Sequence, residues 1–183
     1  FQDSAPPLSW FQFSSVDLGL RGILYFRNTK NGADELDCTV KVYCRGVYVG
    51  ENIPGLIPKF VNLQNGIIEC DALPLVVSRG DLRNEKGQAQ SEVVALVHEC
   101  LVQEVAIELN DMFTKRRAEY ERLWPELNAF VKYSALQDKT MAGVMLRKLI
   151  FQDIYGAYHS IPEYTQGETH RDRVYYASYP LDQ

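Results

Sequence analysis

With 183 residues, 46% of them apolar and 23% charged, the chain is long enough to bury a core without disulfide or metal staples. Its 12 Gly and 8 Pro exclude a collagen-like or low-complexity polymer, and no apolar run approaches the ~18 residues that a membrane span requires. Nineteen Lys and Arg against 24 Asp and Glu leave a net charge of −5 with no strong basic cluster, which argues against a nucleic-acid binder that must neutralise phosphates.

The N-terminus, FQDSAPPLSWF, has neither an initiator Met nor the basic-then-apolar order of a signal peptide. The C-terminus stops soon after VYYASY, and both ends read as cuts inside a longer chain. The first half is written mostly in strands. Leu18, Leu20, Leu24 and Phe26 alternate with Arg21, Ile23 and Tyr25, and Gly22 interrupts the apolar face. Cys38, Val40, Val42 and Cys44 alternate with Thr39, Lys41, Tyr43 and Arg45. Asn28 to Gly32 is turn material between these strands, and Gly46 marks a bend or bulge before Val47-Tyr48-Val49. A third strand region runs from Phe60 to Glu69, followed by the apolar run Leu73-Pro74-Leu75-Val76-Val77.

The second half reads as helical. Ser91 to Phe113 is apolar around most of its circumference, which predicts a helix buried on more than one side, with Ser91 as N-cap. Lys115-Arg116-Arg117, followed by Glu119 and Glu121, reads as the solvated part of a helix. A second helix runs through Arg117, Tyr120 and Leu123-Trp124 and is interrupted at Pro125. A third, Thr140 to Phe151, begins with capping chemistry at Asp138 and sets Met141, Val144, Met145, Leu149 and either Leu146 or Ile150 on one side. A polar loop, Gln166 to Arg173, leads to a last strand, Val174 to Tyr179. Strands followed by helices suggest an α/β sandwich with a helical extension.

Chemistry is sparse. Four cysteines (Cys38, Cys44, Cys70, Cys100) form no CxxC pair, and His98, His159 and His170 offer no HxxxH spacing, so a zinc site is not expected. Cys38 and Cys44 read as core thiols in a reducing compartment. Phosphate-loop, dinucleotide, GxSxG and HExxH signatures are all missing from the sequence. One segment differs. After Leu73 to Val77, Ser78-Arg79-Gly80-Asp81-Leu82-Arg83 and Asn84 to Gln88 form a polar loop with two arginines ahead of the long helix. A guanidinium on such a loop can hold a phosphate by two hydrogen bonds, whereas the plainer reading pairs Arg79 with Asp81 or Glu85 on the surface. Trp10, Tyr48 and Trp124 are candidate contacts for other proteins only if exposed.

The residues resemble the middle domain of the heat-shock protein 90 chaperone family. The family's Gly-Val-Val-Asp-Ser turn and Leu-Pro-Leu-Asn-x-Ser-Arg-Glu motif correspond to Gly66 through Gly80, with Arg79 retained. Leu20 to Tyr25 is similar to the family's Phe-Arg-Ala-Leu-Leu-Tyr strand, and Val42 to Val49 to Leu-Tyr-Val-Arg-Arg-Val-Phe-Ile. Leu56 to Phe60, Ile161 to Tyr164 and Arg173 to Ala177 resemble further family segments in the right order. Val76, Gly80, Arg83 and Arg27 depart from the pattern and mark a divergent, bacterial-type member.

The resemblance implies a layered α/β/α sandwich of the ribosomal-protein-S5-domain-2-like type over 1–112. A helical coil over 113–160 and the start of a small α/β subdomain over 161–183 follow. It further implies a stress-response chaperone, cytoplasmic and bound to neither membrane nor nucleic acid, that acts on unfolded client proteins. ATP and magnesium are held in a separate N-terminal domain, and a C-terminal domain forms the homodimer. Arg79 would reach the γ-phosphate, with Arg83 as a second phosphate contact, and the 183 residues alone would not be an active ATPase. Two other readings stand beside it. One is a transducer domain of a topoisomerase or mismatch-repair ATPase, disfavoured by the charge of −5. The other is a non-catalytic interaction scaffold, suggested by Val76, Gly80 and Arg83.

Overall fold

The computed structural model describes residues 6–28, 39–53, 55–58, 63–73, 89–166 and 173–175. The chain divides into two units, Phe1–Glu108 and Leu109–Gln183. In the first, β1 (Ser9–Ser15), β2 (Leu20–Phe26), β3 (Thr39–Cys44), β4 (Val47–Glu51) and β5 (Leu63–Cys70) form one mixed sheet in the order β1-β2-β5-β3-β4. The fold is α/β, as expected. Three neighbouring pairs are antiparallel, while β3 runs parallel to β5. The bend expected at Gly46 is a two-residue hairpin turn in which Arg45 and Gly46 both take positive φ, 50° and 76°.

Strand alternation sends Phe11, Phe13, Leu20, Leu24, Phe26, Val40, Val42, Ile68 and Cys70 into the core, where all are buried. Gly22 and Gly66 share this face. Gly22 sits between Phe13 and Ile68, and Gly66 between Leu24 and Val40. A Cβ on Gly22 would lie 2.5 Å from the Ile67 carbonyl oxygen, and one on Gly66 would lie 2.6 Å from Leu24 Cδ2. The gap that Gly22 leaves in the apolar alternation is therefore a hole that its neighbours fill.

Helix α1 (Ala89–Lys115) covers this face with Val97, Leu101, Val102, Val105 and Ala106, all buried. His98 Nδ1 lies 3.1 Å from the Gly55 carbonyl oxygen. Two expectations are corrected. The helix starts at Ala89, so Ser91 lies in its first turn and is not the cap. Burial is confined to one side, because Leu96 and Ile107 are exposed on the other.

The second unit holds α2 (Arg117–Gln137), α3 (Lys139–Met145), a 3-10 turn (Leu146–Lys148), β6 (Ile150–Gln152), β7 (Tyr158–Ser160) and α4 (Ile161–Thr165). Helix α2 runs through Pro125 instead of stopping there. An interior proline costs about 3 kcal/mol. Leu123, Trp124, Leu127, Phe130 and Val131 are buried around it, and each contributes roughly 1.5–3 kcal/mol, so packing wins. Asp138 caps α3 by accepting from Met141 N at 2.9 Å, and Met141 and Met145 are buried as predicted. The helix is shorter than expected, however. Ile150 to Gln152 pair with Tyr158 to Ser160, and Asp153 Oδ1 organises the turn by accepting from Tyr155 N and Ala157 N. The last expected strand is not formed at Val174 and Tyr175, and its remainder lies outside the described residues.

Arg117 departs from the solvated helix face read for it. Its Nε donates to Glu121 at 2.7 Å, and its Nη1 and Nη2 donate to the Glu163 carboxylate at 3.1 and 2.9 Å. Nη2 also donates to the Tyr158 carbonyl at 3.3 Å, and the guanidinium lies 4.4 Å over the Phe113 ring. Glu163 in turn accepts from Ser160 N at 2.7 Å, completing a capping box on α4.

Two predictions test this account. Gly22→Ala forces a Cβ against backbone that cannot rotate away, so the urea midpoint should fall by the equivalent of about 1–3 kcal/mol. Gly143→Ala meets nothing within 4 Å and should instead stabilise by about 1 kcal/mol. Equal midpoints for the two variants would refute the packing argument. Glu69, on the outer face, is held below the ordinary 4.5 by the hydrogen bond from Arg21 and by Gly46 N–H. A depressed native pKa means that its stabilisation is full above the unfolded pKa and vanishes as pH falls through the native one. Glu69→Gln should therefore be less stable than the parent at pH 7 and nearly equal to it at pH 2–3 (about the range that linkage implies). A pH-independent difference would contradict the ion pair.

Candidate functional site

Arg79 and Arg83, the candidate phosphate contacts, lie outside the described residues, as do Val76, Gly80 and Cys38. The structure fixes the points where the chain leaves and re-enters. The segment departs from Leu73, three residues beyond β5, and rejoins as α1 at Ala89. Strand β5 is the middle strand of the sheet, and its neighbour β3 points the same way. The candidate arginines thus follow the carboxyl end of a parallel pair, where open α/β sheets present loops to ligands.

The exit turn, Cys70–Leu73, is pinned from both sides of β5. Asp71 N donates to the Gly19 carbonyl at 3.2 Å, and the Cys70 thiol lies 3.6 Å from the Leu18 carbonyl, which ties the turn to the β1–β2 connection. The Leu73 N–H donates to the Cys70 carbonyl at 3.4 Å. From the end of β3, the Cys44 thiol donates to the Leu73 carbonyl at 3.0 Å. Tyr43 pairs with Glu69 in the parallel register, so Cys44 and Cys70 come next on neighbouring strands, both on the core side. Burial pushes both thiols up, so at neutral pH they are S–H donors and poor nucleophiles. Reading Cys44 as a core thiol was correct about its burial but missed this contact. The signal available was only that each cysteine ends its strand.

On the outer face of the sheet, Arg21 Nε and Nη2 donate to Glu69 Oε2 at 2.9 and 2.7 Å across β2 and β5. Trp10 on β1 is 56% exposed and Tyr48 on β4 is 49% exposed, so both remain candidate contacts. Trp124 does not: it is 4% exposed, with its ring 5.3 Å from that of Tyr120. Among the described residues, no group of three or more His, Cys, Asp or Glu is placed to hold a metal ion. No helix among them is long and apolar enough to cross a membrane.

Comparison with known proteins extends these observations. The family description "Hsp90 protein" matches residues 1–180. The chaperone protein HtpG of Porphyromonas gingivalis is 30% identical over 162 residues, which is 88% of this chain and 23% of that protein. HtpG of Bacteroides fragilis is 28% identical over the same shares. An endoplasmin homolog of Caenorhabditis elegans is 27% identical over 162 residues, covering 82% of this chain and 20% of its own length. The chain therefore spans between 20% and 23% of the length of these relatives. A match that runs from the first strand past the last described helix leaves one assignment: this chain belongs to the Hsp90 family.

Proposed function

We propose that the chain is the middle segment of an ATP-dependent chaperone and that Arg79 is its catalytic contribution. One observation carries the reading: a family match along nearly the whole chain that contains the Leu-Pro-Leu…Ser-Arg motif, on the segment leaving the central strand. ATP is substrate here, bound with magnesium in a separate N-terminal domain. The chain's own part is to present a cation. Arg79 sits in a segment tethered at Leu73 and at Ala89, and domain closure brings it to the γ-phosphate. There its planar, permanently charged guanidinium stabilises the charge spread over the transferring phosphoryl oxygens. Hydrolysis thereby becomes conditional on conformation. Arg83 supplies a second phosphate contact.

The charge of −5 supports a protein-directed role over a nucleic-acid one. The exposed Trp10 and Tyr48 support the sheet's outer face as a surface for unfolded clients. The buried free thiols of Cys44 and Cys70 fit a reducing compartment such as the cytoplasm. Dimerisation is assigned to a C-terminal domain.

Replacing Arg79 tests the reading. In the intact protein, Arg79→Ala should lower ATP turnover by about 10³-fold, in the range of other arginine fingers, with nucleotide affinity nearly unchanged. The 183 residues alone should not turn over ATP. Loss of nucleotide binding in the variant would make Arg79 structural. Unchanged turnover would favour the scaffold reading.

A further inference from the structure

We propose that the outward face of α1 is a docking surface for a basic amphipathic helix of another protein. Along α1, Glu92, Leu96, Glu99, Gln103 and Ile107 are all exposed, at spacings of four, three, four and four residues. Those spacings set them in one row, opposite the buried Val97, Leu101 and Val105. Leu96 is 51% exposed and Ile107 54%, so two large apolar side chains stand in water within a polar row. Eleven residues of helix place them about 16 Å apart. Apolar side chains rimmed in this way mark surfaces that contact other molecules.

The charge around them has one sign. The acids of α1 are Glu92, Glu99, Glu104, Glu108 and Asp111, and its first Lys or Arg is Lys115, in the last turn. Glu92, Glu99 and Glu104 have no ion-pair partner among the described residues. Glu104 is half-buried beside the row, and burial pushes its carboxyl up with no described cation to oppose it. A positive charge brought alongside meets a partly desolvated carboxylate, where attraction exceeds that between two fully hydrated ions.

These charges select the occupant. A second copy laid face to face on α1 would set Glu against Glu, and a nucleic acid or an anionic lipid surface would be repelled in the same way. A helix with Lys or Arg flanking two apolar residues eleven positions apart is matched in both respects. Its apolar residues cover Leu96 and Ile107, and its cations lie beside Glu92, Glu99 and Glu104. None of these residues takes part in the ATP chemistry proposed above.

The test uses the intact protein and a synthetic Ala-based helical peptide with two Leu eleven positions apart and Lys flanking them on the same face. One control peptide carries Glu for every Lys. A second has the same composition shuffled, so that Lys and Leu no longer share a face. Binding is followed by fluorescence anisotropy at low and at high salt. The patterned peptide should bind, less tightly at high salt, and both controls should bind about tenfold more weakly or worse. Glu92→Gln with Glu99→Gln, and separately Leu96→Gln with Ile107→Gln, should each weaken it about fivefold or more. The thermal midpoint should stay near the parent's in both, because all four side chains are exposed. Absent binding, equal binding of either control peptide, or undiminished binding by either double variant would overturn the proposal. Self-association of the protein alone that Leu96→Gln with Ile107→Gln abolishes would assign the face to a second copy and overturn it as well. Should a double variant not fold, its single substitutions decide the same outcomes.

Discussion

Leu24 and Ile68 lie over the β2–β5 seam because the residues opposite them, Gly66 and Gly22, have no side chains. Each glycine is flanked on both sides by bulk, so knob and hole alternate along and across the two inner strands. Shape complementarity of this kind does more than fill space. It fixes the register of β2 against β5, because a slip of two residues would drive Leu24 or Ile68 into a neighbour of full size. The middle strand is thereby held in one place, and so is the Cys70–Leu73 turn at its carboxyl end.

What leaves it is the segment bearing Arg79. The turn after β5 is bonded to the β1–β2 connection through Leu18 and Gly19 and to β3 through Cys44. These contacts come from both sides of the middle strand, so the departure point is tied to the sheet and not to any single neighbour. On the function proposed above, a cation delivered between domains gains from a departure point that is held on both sides.

Strand periodicity carried much of the first unit. Alternation around Leu20 to Phe26 and Val40 to Cys44 identified the core faces, since a period of two leaves little choice of side. Helix limits were less legible. Pro125 signals a break locally, and only the buried stripe from Leu123 to Val131 reveals why α2 continues. The hairpin Ile150–Ser160 was hidden because Leu149, Ile150 and Phe151 also fit a helical stripe; the Asp153 turn and Gly156 at φ +86° decide for strands. The capping box Ser160-x-x-Glu163 was readable from sequence and was passed over. As for the site, the sequence located an arginine-bearing segment, but the thiol contacts at its root involve Cys44 and Leu73, 29 positions apart. No local pattern encodes such a pairing.

The environment of Arg117 has a consequence for how the second unit assembles. Strands of three residues and a helix of five cannot persist in isolation, since each falls short of the length at which local bonds repay ordering. One guanidinium touches β7 at Tyr158, α4 at Glu163, α2 at Glu121 and the end of α1 at Phe113. The short pieces are conditional on α2: β7 and α4 gain this partner only when the helix that carries Arg117 is in place. That corner of the molecule should melt and reform cooperatively, so a reporter placed on any one of the four reads the state of them all.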